Sequence, residues 1–164
     1  MRGNDGEREP LPRGERGRDR GRKRHMAVLT YEFTVQTRGF CHIEDVTERV
    51  REHLSRSGLK RGMVCVAVVG STAGVSTIEF EPGLLKDIPE FFESLLPSRA
   101  RFHHDDTWHD GNGFSHLRSF LLKTSHVVPF ADGNLLLGTW QQIVVADFDN
   151  RPRTRKIVVQ IMGE

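Results

Sequence analysis

The chain has 164 residues, a net charge of +2, and 37% apolar and 28% charged side chains, which suits one ordinary globular domain with a sizeable core. Its longest apolar run, Met63 to Val69, is far too short to span a bilayer, and the N-terminus lacks the apolar segment of a secretory signal. Cys41 and Cys65 have no CxxC partner, which excludes a zinc knuckle or a disulfide framework and points to buried thiols in a reducing, cytoplasmic setting.

Charge is unevenly placed. Residues 1–25 hold nine Arg or Lys against five Asp or Glu, a net of +4 that leaves −2 for residues 26–164. Five glycines, two prolines and almost no apolar side chains predict a disordered basic tail there, because it cannot bury enough surface to offset ordering entropy. Such a tail can serve as an arm for nucleic acid or another anionic surface. Acidic residues interrupt its basic ones, however, so a solvated extension is expected, and Met26 is a candidate start.

From Met26 to Arg38 apolar and polar residues alternate, which predicts a half-buried strand ended by Gly39. Ile43 to Leu54 places Val46, Val50 and Leu54 at helical spacing among charges. Asp45 or Thr47 can cap the start, and Gly58 suits a left-handed C-terminus. Met63 to Val69 is apolar on both faces and predicts a central strand. A further strand over Val75 to Glu81 would put Glu79 and Glu81 on one face as a carboxylate pair. Pro82 opens a helix whose stripe runs from Leu84 to Leu96, with Pro89 expected to break or kink it. Ser115 to Leu122 predicts a helix turning Leu117, Phe120 and Leu121 inward. The last third reads as strands over Ser125–Phe130, Leu135–Gly138, Trp140–Asp147 and Arg155–Met162, joined by short turns that include Asp132-Gly133. Short connections require antiparallel pairing, so the fold class is α+β: mainly antiparallel sheet with two or three helices in a single compact domain over residues 26–164.

Residues 103–116 hold four of the eight histidines together with three aspartates. No other stretch is as rich in groups that ligate metals or move protons near neutral pH. With Asn112 to His116 in the first turn of a helix, those two side chains share a face, and His104 can meet them from an extended segment. His103 would then point the other way. His109 can fold over as a third imidazole, giving His104, His109 and His116 as candidate ligands for a divalent metal, zinc or magnesium. Asp105 can orient a ligand or act as base. A metal-free phosphate site is the other option, with Ser71, Thr72 and the amides near Gly70 and Gly74 as donors and His104 and Arg153 as cations.

His104-Asp105, Asn112 with His116, the turn Val128-Pro129-Phe130-Ala131-Asp132-Gly133, and Gly138-Thr139-Trp140-Gln141 together resemble the YjbQ family of small bacterial and archaeal proteins, from about Tyr31 to Gly163. The resemblance implies a compact α+β subunit in a homotrimer, with sites at or near subunit contacts. It also implies a secondary thiamine-phosphate synthase activity joining hydroxymethylpyrimidine diphosphate to thiazole phosphate. One departure stands out: where the family commonly has His-Thr-Thr-Ala, this chain has Gly70-Ser71-Thr72-Ala73, and His109 is the candidate replacement for the lost imidazole. The transferase reading uses His104, His116 and a divalent ion at the phosphates, Ser71, Thr72 and Asn112 as substrate contacts, and Trp140 for ring stacking. The alternatives are a metal-dependent phosphoester hydrolase with Asp105 or Glu79 as base, and a non-catalytic module that binds a phosphorylated metabolite.

Overall fold

The alternation at the start of the domain becomes a strand, β1 (Ala27–Thr37), that turns Phe33, Val35 and Thr37 inward and its even-numbered residues to solvent. In the computed structural model, which describes residues 25–164, β1 pairs antiparallel along its whole length with the final strand, β8 (Arg153–Gly163). Next in order come β3 (Arg61–Val68), β5 (Ser125–Ala131) and the two-residue β6 (Asn134–Leu135), making a five-stranded sheet β1-β8-β3-β5-β6. A second sheet, β2-β7-β4, is built from β2 (His42–Asp45), β7 (Gln142–Asp147) and β4 (Ala73–Ile78). Every pairing is antiparallel. The basic segment read as disordered lies outside the described residues, apart from His25. Among the described residues, no helix is long and apolar enough to cross a membrane.

Two apolar layers hold the sheets. The larger joins Phe33, Val64, Val66, Ile157 and Val159 of the large sheet to Ile143 and Val145 of β7 and to Val50 and Leu54 of a helix, α1 (Thr47–Ser57). The smaller lies on the other face of β7, where Val144, Ala146 and Phe148 meet Phe92 of α2 (Leu84–Leu95). The strand buried on both faces is therefore β7. β3 sits centrally in its sheet, but only Val64, Val66 and Val68 face the core, and Met63 is 47% exposed on the open side. β7 and β8 do not pair with each other despite their short connection. Residues 148–152 instead carry the chain from one sheet to the other, tied down as the Phe148 amide donates to the Thr72 carbonyl (2.9 Å) and the Phe40 amide to that of Asp149 (2.7 Å).

Helix boundaries and faces correct several expectations. Ile43 pairs with Ala146 in β2, so α1 begins only at Thr47, where Asp45 accepts from the Thr47 amide (2.8 Å); Gly58 closes it at φ 69°. β4 ends at Ile78, and the Glu81 carboxylate accepts from the amides of Gly83 (2.6 Å) and Leu84 (2.5 Å), so it caps α2 and forms no pair with Glu79. α2 runs through Pro89 without ending there, at the loss of the Pro89 bond to the carbonyl of Leu85; of its apolar stripe only Phe92 is buried. Residues 103–108, expected to be extended, form a short helix, α3 (His103–Trp108). In α4 (Gly113–Leu122), Leu117, Phe120 and Leu121 point outward, while Phe114, Ser115, Arg118 and Ser119 face in. Close approach decides this: Ser115 donates to the Phe148 carbonyl (2.7 Å) and Ser119 to that of Ala73 (2.6 Å), contacts that long apolar side chains would prevent.

Candidate functional site

The crossing from β7 to β8 places two carboxylates and two guanidinium groups together. Asp147 and Asp149 are fully buried, and Arg155 is 7% exposed. Arg155 donates from Nε to Asp147 Oδ2 (2.7 Å), and from Nη2 to Asp147 Oδ1 (2.6 Å) and Thr72 Oγ1 (2.7 Å). Thr72 in turn donates to Asp149 Oδ2 (3.0 Å), Arg153 donates from Nε to the same oxygen (2.7 Å), and Thr37 donates to Asp147. Burial opposes the charge of Asp149, yet the bonds from Arg153, Thr72 and the Asn150 amide outweigh it and hold the carboxyl below its usual range. Two positive and two negative groups cancel, leaving a rigid, neutral floor. Thr72 and Arg153, expected at a substrate phosphate, are committed to this floor.

Beside the floor, α3 packs on the start of α4. A Cβ on Gly113 would lie 2.5 Å from that of Phe102, so only glycine allows this approach. Asp105 Oδ1 accepts from the Gly113 amide (3.0 Å), which makes Asp105 a clasp between the helices. The result is a pair of imidazoles, His104 and His116, with ring centroids 4.3 Å apart and planes at 40°. Burial and then the neighbouring His104 push the His116 imidazole below its ordinary 6.5, against the opposing pull of Asp110, Asp149 and Asp105. Asp149 thereby links the pair to the floor. Two buried atoms here have no hydrogen-bond partner, His104 Nε2 and Asn112 Oδ1. Asp110 Oδ1 lies 3.5 Å from His104 Nε2, an electrostatic neighbour that does not complete a hydrogen bond.

The remaining candidates fall at different distances from this centre. Ser71 is exposed and, with Gly70 and His116, lines an adjoining cleft of about 310 Å³. His103 is fully exposed and 3.6 Å from Asp106. His109 is the left-handed C-cap of α3 (φ 56°) and exposed, and no ring contact or hydrogen bond joins it to His104 or His116. Its expected role as a replacement imidazole finds no support in this placement, and Asp110 is the group beside His104 instead. Glu79 follows β4 whereas Thr72 precedes it, so the six residues of the strand, about 20 Å of extended chain, separate Glu79 from the floor. Trp140 lies at that same far end, 69% exposed, since Gln142 pairs with Ile78 and Asp147 with Ala73. Among the described residues no group of three or more His, Cys, Asp or Glu is arranged to hold a metal ion. The predicted trio of histidines therefore does not fit a closed metal site.

A larger cleft of about 740 Å³ lies between α1 and the β5–β6 turn. Its charged side chains spread along the helix surface, as in the 3.5 Å pair of Arg51 and Glu48, and converge on no point. Sequence reasoning missed Asp147, Asp149 and Arg155. The available signal was phase: Arg155 occupies the inward set of β8 with Ile157, Val159 and Ile161, and Asp147 extends the wholly buried run of β7. A charge in an inward position is buried, and a buried charge needs a partner.

Residues 31–164 match the family described as UPF0047 protein YjbQ-like. A UPF0047 protein of Archaeoglobus fulgidus is 38% identical over 131 residues, 80% of this chain and 99% of the relative. One from Methanothermobacter thermautotrophicus is 37% identical over 139 residues, 85% of this chain and 95% of the relative. Among solved structures, a YbjQ-like protein of unknown function from Sulfolobus solfataricus superimposes with a TM-score of 0.81 at 31% identity, covering 85% of this chain and 100% of that one. A hypothetical protein from Aeropyrum pernix does so at 0.77 and 36% identity, covering 83% of this chain and 99% of that one. With its α+β fold of antiparallel sheets in place, the chain belongs to the YjbQ/UPF0047 family.

Proposed function

We propose that the His104–His116 centre binds phosphorylated metabolites and carries out a thiamine-phosphate-synthase-like transfer, joining hydroxymethylpyrimidine diphosphate to thiazole phosphate. The observation that carries this reading is the pair of buried, unpartnered atoms, His104 Nε2 and Asn112 Oδ1, beside two adjacent, tilted imidazoles and a charge-neutral floor. In the transfer the carbon–oxygen bond to the diphosphate breaks, the diphosphate leaves with the electron pair, and the thiazole nitrogen attacks the resulting pyrimidinyl-methyl cation. Negative charge grows on the departing oxygen, and a fixed imidazole N–H stabilises it without reorganisation. His104 supplies that donor, and Asn112 Oδ1 accepts from an amino group such as that of the pyrimidine.

A homotrimer is supported by the outer face of the five-stranded sheet, where Val28, Met63, Val127 and Met162 are exposed and no other element among the described residues covers them. A patch of this kind on a sheet is an association surface.

The test is formation of thiamine phosphate by the purified full chain, with and without excess chelator. His104→Gln and His116→Gln should each lower the rate about a hundredfold or more with little loss of thermal stability. Unchanged product formation in both variants refutes the reading. Tight binding of the phosphorylated ligands without turnover would make the protein a binding module, and loss of activity in chelator would add a metal.

A further inference from the structure

The cleft beside His116 has features that the transfer chemistry leaves unexplained. It is bounded by Gly70, Ser71, His116, Phe120, Lys123 and Thr124. Lys123 is a non-glycine residue at φ 75° and ψ 154°, a strained region that glycine occupies almost exclusively. The turn from α4 imposes it: the Lys123 amide donates to the Ser119 carbonyl (2.9 Å), and the Lys123 carbonyl accepts from the Val75 amide (3.0 Å). Its ammonium lies 4.3 Å from the centroid of the Phe120 ring, and among the described residues no carboxylate pairs with it. A cation is thus held at the cleft by a backbone that would favour glycine.

A second cation lies behind the opposite wall. Gly70 is exposed at φ 140°, and a Cβ built there would lie 3.3 Å from Nη1 of Arg155. The hydrogen bonds of Arg155 to Asp147, Asp149 and Thr72 run through Nε and Nη2. No side chain at position 70 therefore stands between Nη1 and the cleft. Asp147 and Asp149 already neutralise Arg153 and Arg155, so Lys123 leaves the cleft with a net positive charge, flanked by the hydroxyls of Ser71 and Thr124.

We propose that this cleft is a second anion subsite, taking a phosphate monoester between Lys123, Ser71 and Thr124, with Nη1 of the largely buried Arg155 behind Gly70 adding positive charge from below. The inference rests on the reading of the His104–His116 centre and deepens it: the diphosphate occupies that centre, the monophosphate of the second substrate occupies the cleft, and His116 borders both.

Titration calorimetry of the full chain with inorganic phosphate and with pyrophosphate tests the assignment. Lys123→Gly, which relieves the backbone strain and so keeps the fold, should weaken phosphate binding about tenfold, and Ser71→Ala should weaken it less. His104→Gln should spare phosphate and weaken pyrophosphate. In the transfer assay Lys123→Gly should raise KM for thiazole phosphate and leave that for the pyrimidine diphosphate unchanged. Phosphate affinity that is unaltered in Lys123→Gly, or absent in the wild type, overturns the subsite while leaving the transferase reading intact. Weakened phosphate binding in a chain that forms no thiamine phosphate keeps the subsite and removes that reading.

Discussion

Replacing Gly113 by alanine probes the contact on which the histidine pair depends. The new Cβ would lie 2.5 Å from that of Phe102 and 3.2 Å from both His104 Cβ and Asp105 Oδ1. Two of these neighbours are rigidly attached to backbone, so α3 must move away from α4. Overpacking of this kind costs about 1–3 kcal/mol. The gain in helix propensity offsets at most about 1 kcal/mol, and less at the first helical position. With about 0.5 kcal/mol for that reduced gain, the expected net destabilisation is about 0.5–2.5 kcal/mol, read as a lower urea midpoint with an unchanged slope. The second readout is the His116 titration by NMR. Its imidazole is depressed by burial and by His104, so moving α3 away should return it toward 6.5 as transfer activity falls. Gly58→Ala serves as a control: its φ is 69° with nothing within 4 Å of the new Cβ, so it should cost about 1 kcal/mol of strain and leave His116 unchanged. A folded Gly113→Ala protein with wild-type stability and an unshifted His116 would refute the argument.

Three further outcomes follow from the same geometry. Arg155→Met should cost about 3–5 kcal/mol by chemical denaturation, because it leaves the buried Asp147 carboxylate with bonds from Thr37 and the Asp149 amide but no cation of its own; a loss below about 1 kcal/mol would mean that the floor is not a coupled network. His42, His53 and His116 are all lowered from 6.5, chiefly by burial. They stay neutral in the fold while the unfolded chain takes up protons, so their contribution is full above about pH 6.5 and declines as the pH falls toward their depressed values. The urea midpoint should thus be lower at about pH 5.5 than at about pH 7.5, and an equal or higher midpoint contradicts this. Burial pushes the Cys41 thiol up to about 12, while Cys65 is only partly buried; native iodoacetamide labelling should reach Cys65 first, and equal rates would place Cys41 at the surface.

Much of the architecture was legible because strand alternation and turn chemistry are local. β1, β8, the Asp132-Gly133 hairpin and the glycine after α1 follow from side chains within a few residues of one another. The density of histidines in residues 103–116 likewise marked the site, and two of them, His104 and His116, do meet. Helix faces were less accessible. Spacing alone placed Leu117, Phe120 and Leu121 inward, whereas the short distance between α4 and β4 selects Ser115 and Ser119 for that face.

The sequence by itself determined the family, the α+β class, most element positions and the residue types from which the site is drawn. Only the tertiary structure decided which of them converge. That β7 and β8 part into different sheets, joining Asp147 and Asp149 to Arg155 and Thr72, depends on pairings between segments as far apart as Thr37 and Arg153. Hydrophobic alternation specifies which face a residue occupies and carries no information about which strand lies beside it. Glu79 and His109 have suitable chemistry in sequence, and the fold sets Glu79 at the far end of a strand and His109 on an exposed cap. Gly113, unremarkable in composition, is what lets His104 reach His116.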